Sequence, residues 1–229
     1  MKVSLALVCA LAAGCSGDLD PPWQLDHDRI VAVRSTPPAI AAGERAELDL
    51  LVATAGVGTA ERSPELVVVV TPASLASALA FDGGKWRVTA PGEPELAAAR
   101  TELGLEPAAP VPLRLVVSFG GGALLATKVV WLGMTAQNPS LSTMMVDGSP
   151  ADAKPELVVA PLVDVPLSID AIDTDDVNWL TSCGTMHDYD LPQAYLRVEL
   201  EDPMEGELAV VLCNARGGVA WRVWPIHAE

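Results

Sequence analysis

The chain has 229 residues, with 14 Lys and Arg against 30 Asp and Glu, for a formal net charge of −16. Such a surface repels nucleic acid, whose binders need a basic face, and gains no electrostatic attraction to anionic lipid. With 50% hydrophobic residues the chain is too apolar to be disordered, and its length allows one large or two small domains.

In chain order, residues 1–14 read as a secretory leader. Lys2 is followed by an apolar segment over 3–13, too short for a bilayer span of about 20 residues and of the right length for a signal-peptide core. The small residues Ala12, Ala13 and Gly14 then precede Cys15. This "LAAGC" stretch resembles the lipobox of bacterial lipoproteins, although Ala12 stands where leucine is usual. The resemblance implies cleavage before Cys15 and a membrane anchor of acyl chains on that residue. Ser16, in place of a retaining aspartate, implies the outer membrane. The other reading is an ordinary signal peptide that leaves Cys15 free. Residues 15–28, with Pro21-Pro22 and four aspartates, read as a lipidated tether. Trp23 is unusual there, and is expected to dock on the first domain or to lie beside the anchor.

From residue 30 the pattern is β. In "AELDLLV" Ala46, Leu48, Leu50 and Val52 share one face and Glu47 and Asp49 the other, predicting a half-buried strand. "ELVVVV" (65–70) reads as a central strand, and "KWRVT" alternates. "VPLRLVVSF" and "LLATKVVWL" flank Gly120-Gly121-Gly122, a hairpin turn. One helix interrupts over "GEPELAAARTELG", with Pro94 near its start, early glutamates and Gly104 as its stop; it reads as a crossover. "TAQNPS" (135–140) closes the first set. "VPLSIDA", "AYLRVELE", "ELAVVLC" and "VAWRVWPI" form the second, and "VNWLTSC", if extended, puts Val177, Trp179, Thr181 and Cys183 on one face. "LVVSFGGGALLATKVVW" and "AVVLCNARGGVAWRVW" share one design: strand, glycine turn, and a strand carrying a basic residue, valine and tryptophan.

Short strands punctuated by turn signals predict an all-β chain of two tandem sandwiches, over 29–135 and 136–229, with one short crossover helix in the first. "IVAVRSTPPAIAAGERAELDLLV" resembles the opening strands of bacterial immunoglobulin-like modules, and the whole chain resembles bacterial lipoproteins that carry them. That likeness implies a fold and a cell-envelope location and brings no catalytic residues.

With Cys9 in the leader and Cys15 acylated, Cys183 and Cys213 remain, and an exported chain is expected to pair them as one disulfide in the second domain. The alternative is two buried free thiols. The acidic loop "SIDAIDTDDVN" offers Asp170, Asp173, Asp175 and Asp176 to calcium, but lacks the ordered D-x-D-x-D-G spacing, so a solvated loop is the first reading. His27, His187 and His227 form no metal-ligand pair, and Cys183 with His187, Asp188 and Asp190 forms a catalytic group only if the cysteine is free. The expected function is non-enzymatic and without cofactor: an envelope lipoprotein that is structural or binds a protein or glycan, or alternatively a calcium-dependent adhesion or structural module.

Overall fold

The computed structural model describes residues 21–229, apart from 142, 152, 173 and 174. The leader, Cys15 and Asp173 lie outside the described residues.

The first sandwich contains β1 (Arg29–Thr36), β2 (Ala39–Ile40), β3 (Arg45–Thr54), β4 (Gly58–Arg62), β5 (Leu66–Thr71), β6 (Leu79–Asp82), β7 (Lys85–Thr89), the helix α1 (Glu93–Leu103), β8 (Val111–Phe119) and β9 (Leu124–Leu132). One sheet runs β1-β3-β7-β6 with β4 added to β3, and the other runs β2-β9-β8-β5. Strand alternation sends Leu48, Leu50 and Val88 inward from the first sheet, and Leu113, Leu115 and Leu132 inward from the second, where they meet in one buried core. Helix α1 forms between β7 and β8 as a crossover. Pro94 opens it, Glu93 and Glu95 sit at the positive end of its dipole, and Gly104, at φ 66°, ends it. Its buried Leu96 and Ala99 join the core.

The second sandwich contains β10 (Met145–Val146), β11 (Ser149–Pro150), β12 (Leu157–Val159), β13 (Val165–Ser168), β14 (Asp176–Thr181), β15 (Thr185–His187), β16 (Gln193–Arg197), β17 (Glu205–Cys213) and β18 (Val219–Ala228). Its sheets run β11-β10-β13-β16-β15 and β12-β18-β17-β14. Its core is built on Trp179, which is fully buried and donates its indole N–H to the Leu191 carbonyl at 2.9 Å. Val177, Thr181 and Cys183 are buried with it, the shared face expected of an extended "VNWLTSC". The two glycine-turn segments with a common design are the hairpins β8–β9 and β17–β18. Each carries a short parallel strand on its outer side, β2 on β9 and β12 on β18. The weak internal repeat therefore marks the same place in both sandwiches.

A third apolar cluster lies between the sandwiches. Ala32, Leu51 and Ala53, on the outer face of the β1–β3 sheet, meet Leu180, Ala209, Val211, Val219 and Trp221 from the second domain. This explains two runs that alternation alone does not. From Leu50 to Ala53 strand β3 is buried on both faces, and so is β17 from Leu208 to Leu212. The half-buried reading of "AELDLLV" is correct as far as Asp49 and fails beyond it, because the second domain covers the outer face.

The segment before β1 is a strap along this seam. Leu25 donates its backbone N–H to Thr181 O, and Thr181 donates to Trp23 O, both at 2.9 Å. Trp23 packs against the core of the second domain, not on the first domain as the sequence suggested.

Candidate functional site

Two features stand out: the open edge of β5 and the seam between the domains. Strand β5 pairs with β8 on one side and ends its sheet on the other. Its outward residues Leu66, Val68 and Val70 are 52%, 48% and 56% exposed. "ELVVVV" is therefore an edge strand, and the expectation of a central one is corrected. A β-branched run signals a strand but does not say how many neighbours it has. The register is regular from Leu66 to Val69 and slips between Val69 and Thr71, with Val70 as the extra residue. Across the sheet Leu66 faces Ser118, which faces the 67% exposed Leu125. Val68 faces Val116. Arg114, opposite Thr71, is exposed and has no ion-pair partner among the described residues. An unpaired edge that is apolar and uncharged from Leu66 to Val69 is an open template for another strand.

The seam is held by directed contacts as well as by apolar burial. The Arg34 guanidinium lies 3.9 Å over the Trp221 ring and is paired with Asp49 at 2.6 Å. The Trp221 indole N–H donates to Glu61 at 2.8 Å. The Thr59 backbone N–H donates to Glu207 at 2.7 Å. Asn138, in the linker, bridges both domains: its amide donates to Ser35 O at 3.0 Å and its oxygen accepts from Val219 N–H at 2.9 Å. The β17–β18 turn reaches β9 at Gly217, whose φ is +76° and where an added Cβ would stand 3.2 Å from Val129 O. Beside that turn lies a crevice of about 480 Å³ between β1 and β9 of one domain and β14 and β17 of the other. Lys128 and Cys213 line it. Sequence reading did not single out Lys128. The signal for it was a charged residue on the inward register of β9, between Ala126 and Val130.

The sequence-predicted sites fall elsewhere. Cys183 and Cys213 are both free thiols, and the disulfide expectation is corrected. Cys213 faces Asp176 at one end of the β14–β17 ladder, and Thr181 faces Leu208 at the other. Cys183 lies beyond Thr181, its Cβ 2.8 Å from where a Cβ on Gly206 would stand. Gly206 and Cys213 are seven residues apart on β17, roughly 23 Å at about 3.3 Å per residue, whereas bridged Cα atoms lie within about 7 Å. Counting cysteines left this pair, but the register separates it. Cys183 is fully buried and donates to the Pro203 carbonyl at 2.8 Å. Burial, then the nearby Asp202, pushes its thiol up to about 11, the opposite of an activated nucleophile. His187 is exposed on β15, so the "SCGTMHDYDLP" segment assembles no Cys–His pair.

In the acidic loop, Asp175 is half-buried with one carboxylate oxygen that has no hydrogen-bond partner among the described residues, and Asp176 is exposed at the start of β14. Asp170 is exposed, and Asp173 is outside the described residues. Among the described residues no group of three or more His, Cys, Asp or Glu side chains could hold a metal ion. His27 is 3.2 Å from Asp26, and His227 is 3.8 Å from both Glu205 and Glu229.

The chain matches no protein-family model, and a search of curated proteins finds no match. Solved structures do match. The fibronectin(III)-like modules of Clostridium thermocellum CbhA align at 10% identity over 86% of this chain and 94% of theirs, with a TM-score of 0.30. The tandem V-type regions of a v-region-containing chitin binding protein align at 12% identity over 86% and 98%, with a TM-score of 0.35. The N-terminal Ig1-2 module of the Drosophila receptor protein tyrosine phosphatase DLAR aligns at 11% identity over 86% and 98%, with a TM-score of 0.29. The likeness is one of fold. This is an all-β chain of two tandem immunoglobulin-like sandwiches.

Proposed function

We propose that this protein is a non-enzymatic lipoprotein of the bacterial cell envelope, anchored through Cys15 in the outer membrane, that binds a partner protein by strand addition at β5. The observation that carries this reading is the open, uncharged edge of β5, with Leu66 and Val68 exposed on it. Edge strands in soluble domains are usually blunted by charge, proline or a bulge. Here a bulge and Pro72 come only at the far end, and the stretch from Leu66 to Val69 is left open. A partner strand laid there gains main-chain hydrogen bonds from the edge and apolar contact from Leu66 and Val68, and an acidic group on it would meet Arg114.

The seam supports the same reading from another side. The apolar seam and the strap along it hold the two sandwiches together, and the sheet that ends in β5 contributes no residue to the seam's apolar cluster. The anchor rests on the lipobox resemblance at Cys15 and the outer membrane on Ser16. The experiment is photo-cross-linking in intact envelopes. A photoreactive residue at Val68 should give a discrete adduct, and the same residue at Val57, 80% exposed on the β3–β4 turn, should not. Equal labelling at both positions, or none at either, contradicts strand addition.

A further inference from the structure

The crevice at the seam is lined by no carboxylate, in a chain with 30 acidic residues. Its walls are apolar, from Val31 and Ala32 on one side and Leu180, Val211 and Val219 on the other. Its charged residues are two cations, Lys128 and Arg29. Lys128 is 6% exposed, and among the described residues its ammonium has one acceptor, the Gly217 carbonyl at 2.5 Å. An ammonium carries three donors, so two remain unused at a buried site, where an unmade hydrogen bond is costly. Arg29 donates to two carbonyls, Pro22 O at 2.8 Å and Gln24 O at 3.2 Å, and likewise has no carboxylate partner among the described residues.

We infer that this crevice is a binding site for a small carboxylic acid with an apolar body, its carboxylate taken by Lys128 and Arg29 and its chain laid against Val31, Leu180 and Val211. The volume, about 480 Å³, lies in the range of small-molecule sites, which pair apolar walls with a few polar groups that fix orientation. Charge selects the class. A cationic ligand would face two cations in a lining that holds no carboxylate, and a neutral one would leave the Lys128 donors unused. The carboxylate supplies what the fold omits at this one place, and it would bridge β9 of one domain to the turn of the other. The crevice lies two strands across the sheet from β5, since Lys128 faces Leu115 and Leu115 faces Val69, and the proposal does not depend on what joins the β5 edge.

Decanoate is the probe, titrated into the intact protein by calorimetry, with decan-1-ol as the uncharged control. The expected result is saturable binding of one decanoate per chain, at least tenfold tighter than decan-1-ol. Lys128→Met should weaken decanoate by roughly tenfold to a hundredfold, the range of a hydrogen bond to a charged group, and leave decan-1-ol unchanged. Burial holds Lys128 at about 8 in the free protein, so wild-type affinity should fall about tenfold per pH unit as the pH rises above that value. That profile needs no variant and decides the matter even if Lys128→Met does not fold. Equal affinity for decanoate and decan-1-ol, no saturable binding, or a flat profile from pH 7 to 10 would overturn the assignment.

Discussion

Arg34 of the first sandwich lies 3.9 Å over the ring of Trp221 of the second, and the indole N–H reaches back to Glu61 at 2.8 Å. Trp221 belongs to the apolar cluster with Leu51, Ala53, Ala209 and Val211, while Glu61 on its other side is exposed, so the clamp stands at the border between the apolar seam and solvent. The two domains are expected to unfold in one calorimetric transition. Trp221→Ala removes the ring, the cation–π contact and a hydrogen bond together. It should cost about 3 kcal/mol or more and split the transition in two. Two resolved transitions in the wild type would show that the seam does not couple the domains.

Burial depresses Lys128 from its ordinary 10.5 to about 8, with Cys213 and Asp49 opposing the shift. Between those values the unfolded chain holds a proton that the folded chain has lost, so this group's contribution to stability rises with pH across the window. The shift corresponds to about 3 kcal/mol. Urea unfolding of wild type and Lys128→Met should therefore show the wild type gaining on the variant by about that amount from pH 7 to pH 10.5. A constant difference would mean the lysine is not desolvated as described.

Both cysteines are thiols in opposite surroundings. Cys183 is fully buried, and Cys213 is half-buried beside the crevice. A reducing agent should leave the melting temperature unchanged. Iodoacetamide on the native protein should label Cys213 first and Cys183 only on unfolding. A peptide linking the two cysteines in a non-reducing digest would contradict the β14–β17 register.

The anchor is tested at its own residue. Cys15→Ser should move the protein from the detergent-extracted membrane fraction to the soluble fraction, or leave it unprocessed, and mass spectrometry of the wild type should find an acylated N-terminal cysteine. An unmodified Cys15 in a wholly soluble protein would remove the lipid from the account.

Much of the fold was legible because alternation reports one buried face directly. Ala46, Leu48 and Leu50 in one domain and Val177, Trp179 and Thr181 in the other fall where the pattern places them. Helix α1 was readable from Pro94, its early glutamates and Gly104. What alternation does not report is the neighbour on the second face or at the strand edge. The continuous run "VVVV" in β5 resembles the doubly buried "LAVVL" of β17 in composition, yet one is an open edge and the other the centre of the molecule. Lys128 and Cys213 were separate residues in sequence, and only the docking of the β17–β18 turn on β9 brings them to one crevice. Counting cysteines pairs Cys183 with Cys213 but does not measure how far the register of β14 and β17 holds them apart.

Hydrogen exchange on residues 66–71 reports strand addition at β5 amide by amide. In the isolated protein the backbone amides of β5 that point away from β8 should exchange rapidly. In the partner complex captured through Val68 they should become protected, while the exposed β3–β4 turn at Val57 stays unchanged. Leu66→Glu should abolish that protection and leave stability within about 0.5 kcal/mol of wild type, because the residue is 52% exposed. Protection appearing elsewhere in the complex, with the β5 amides still exchanging freely, would contradict the account.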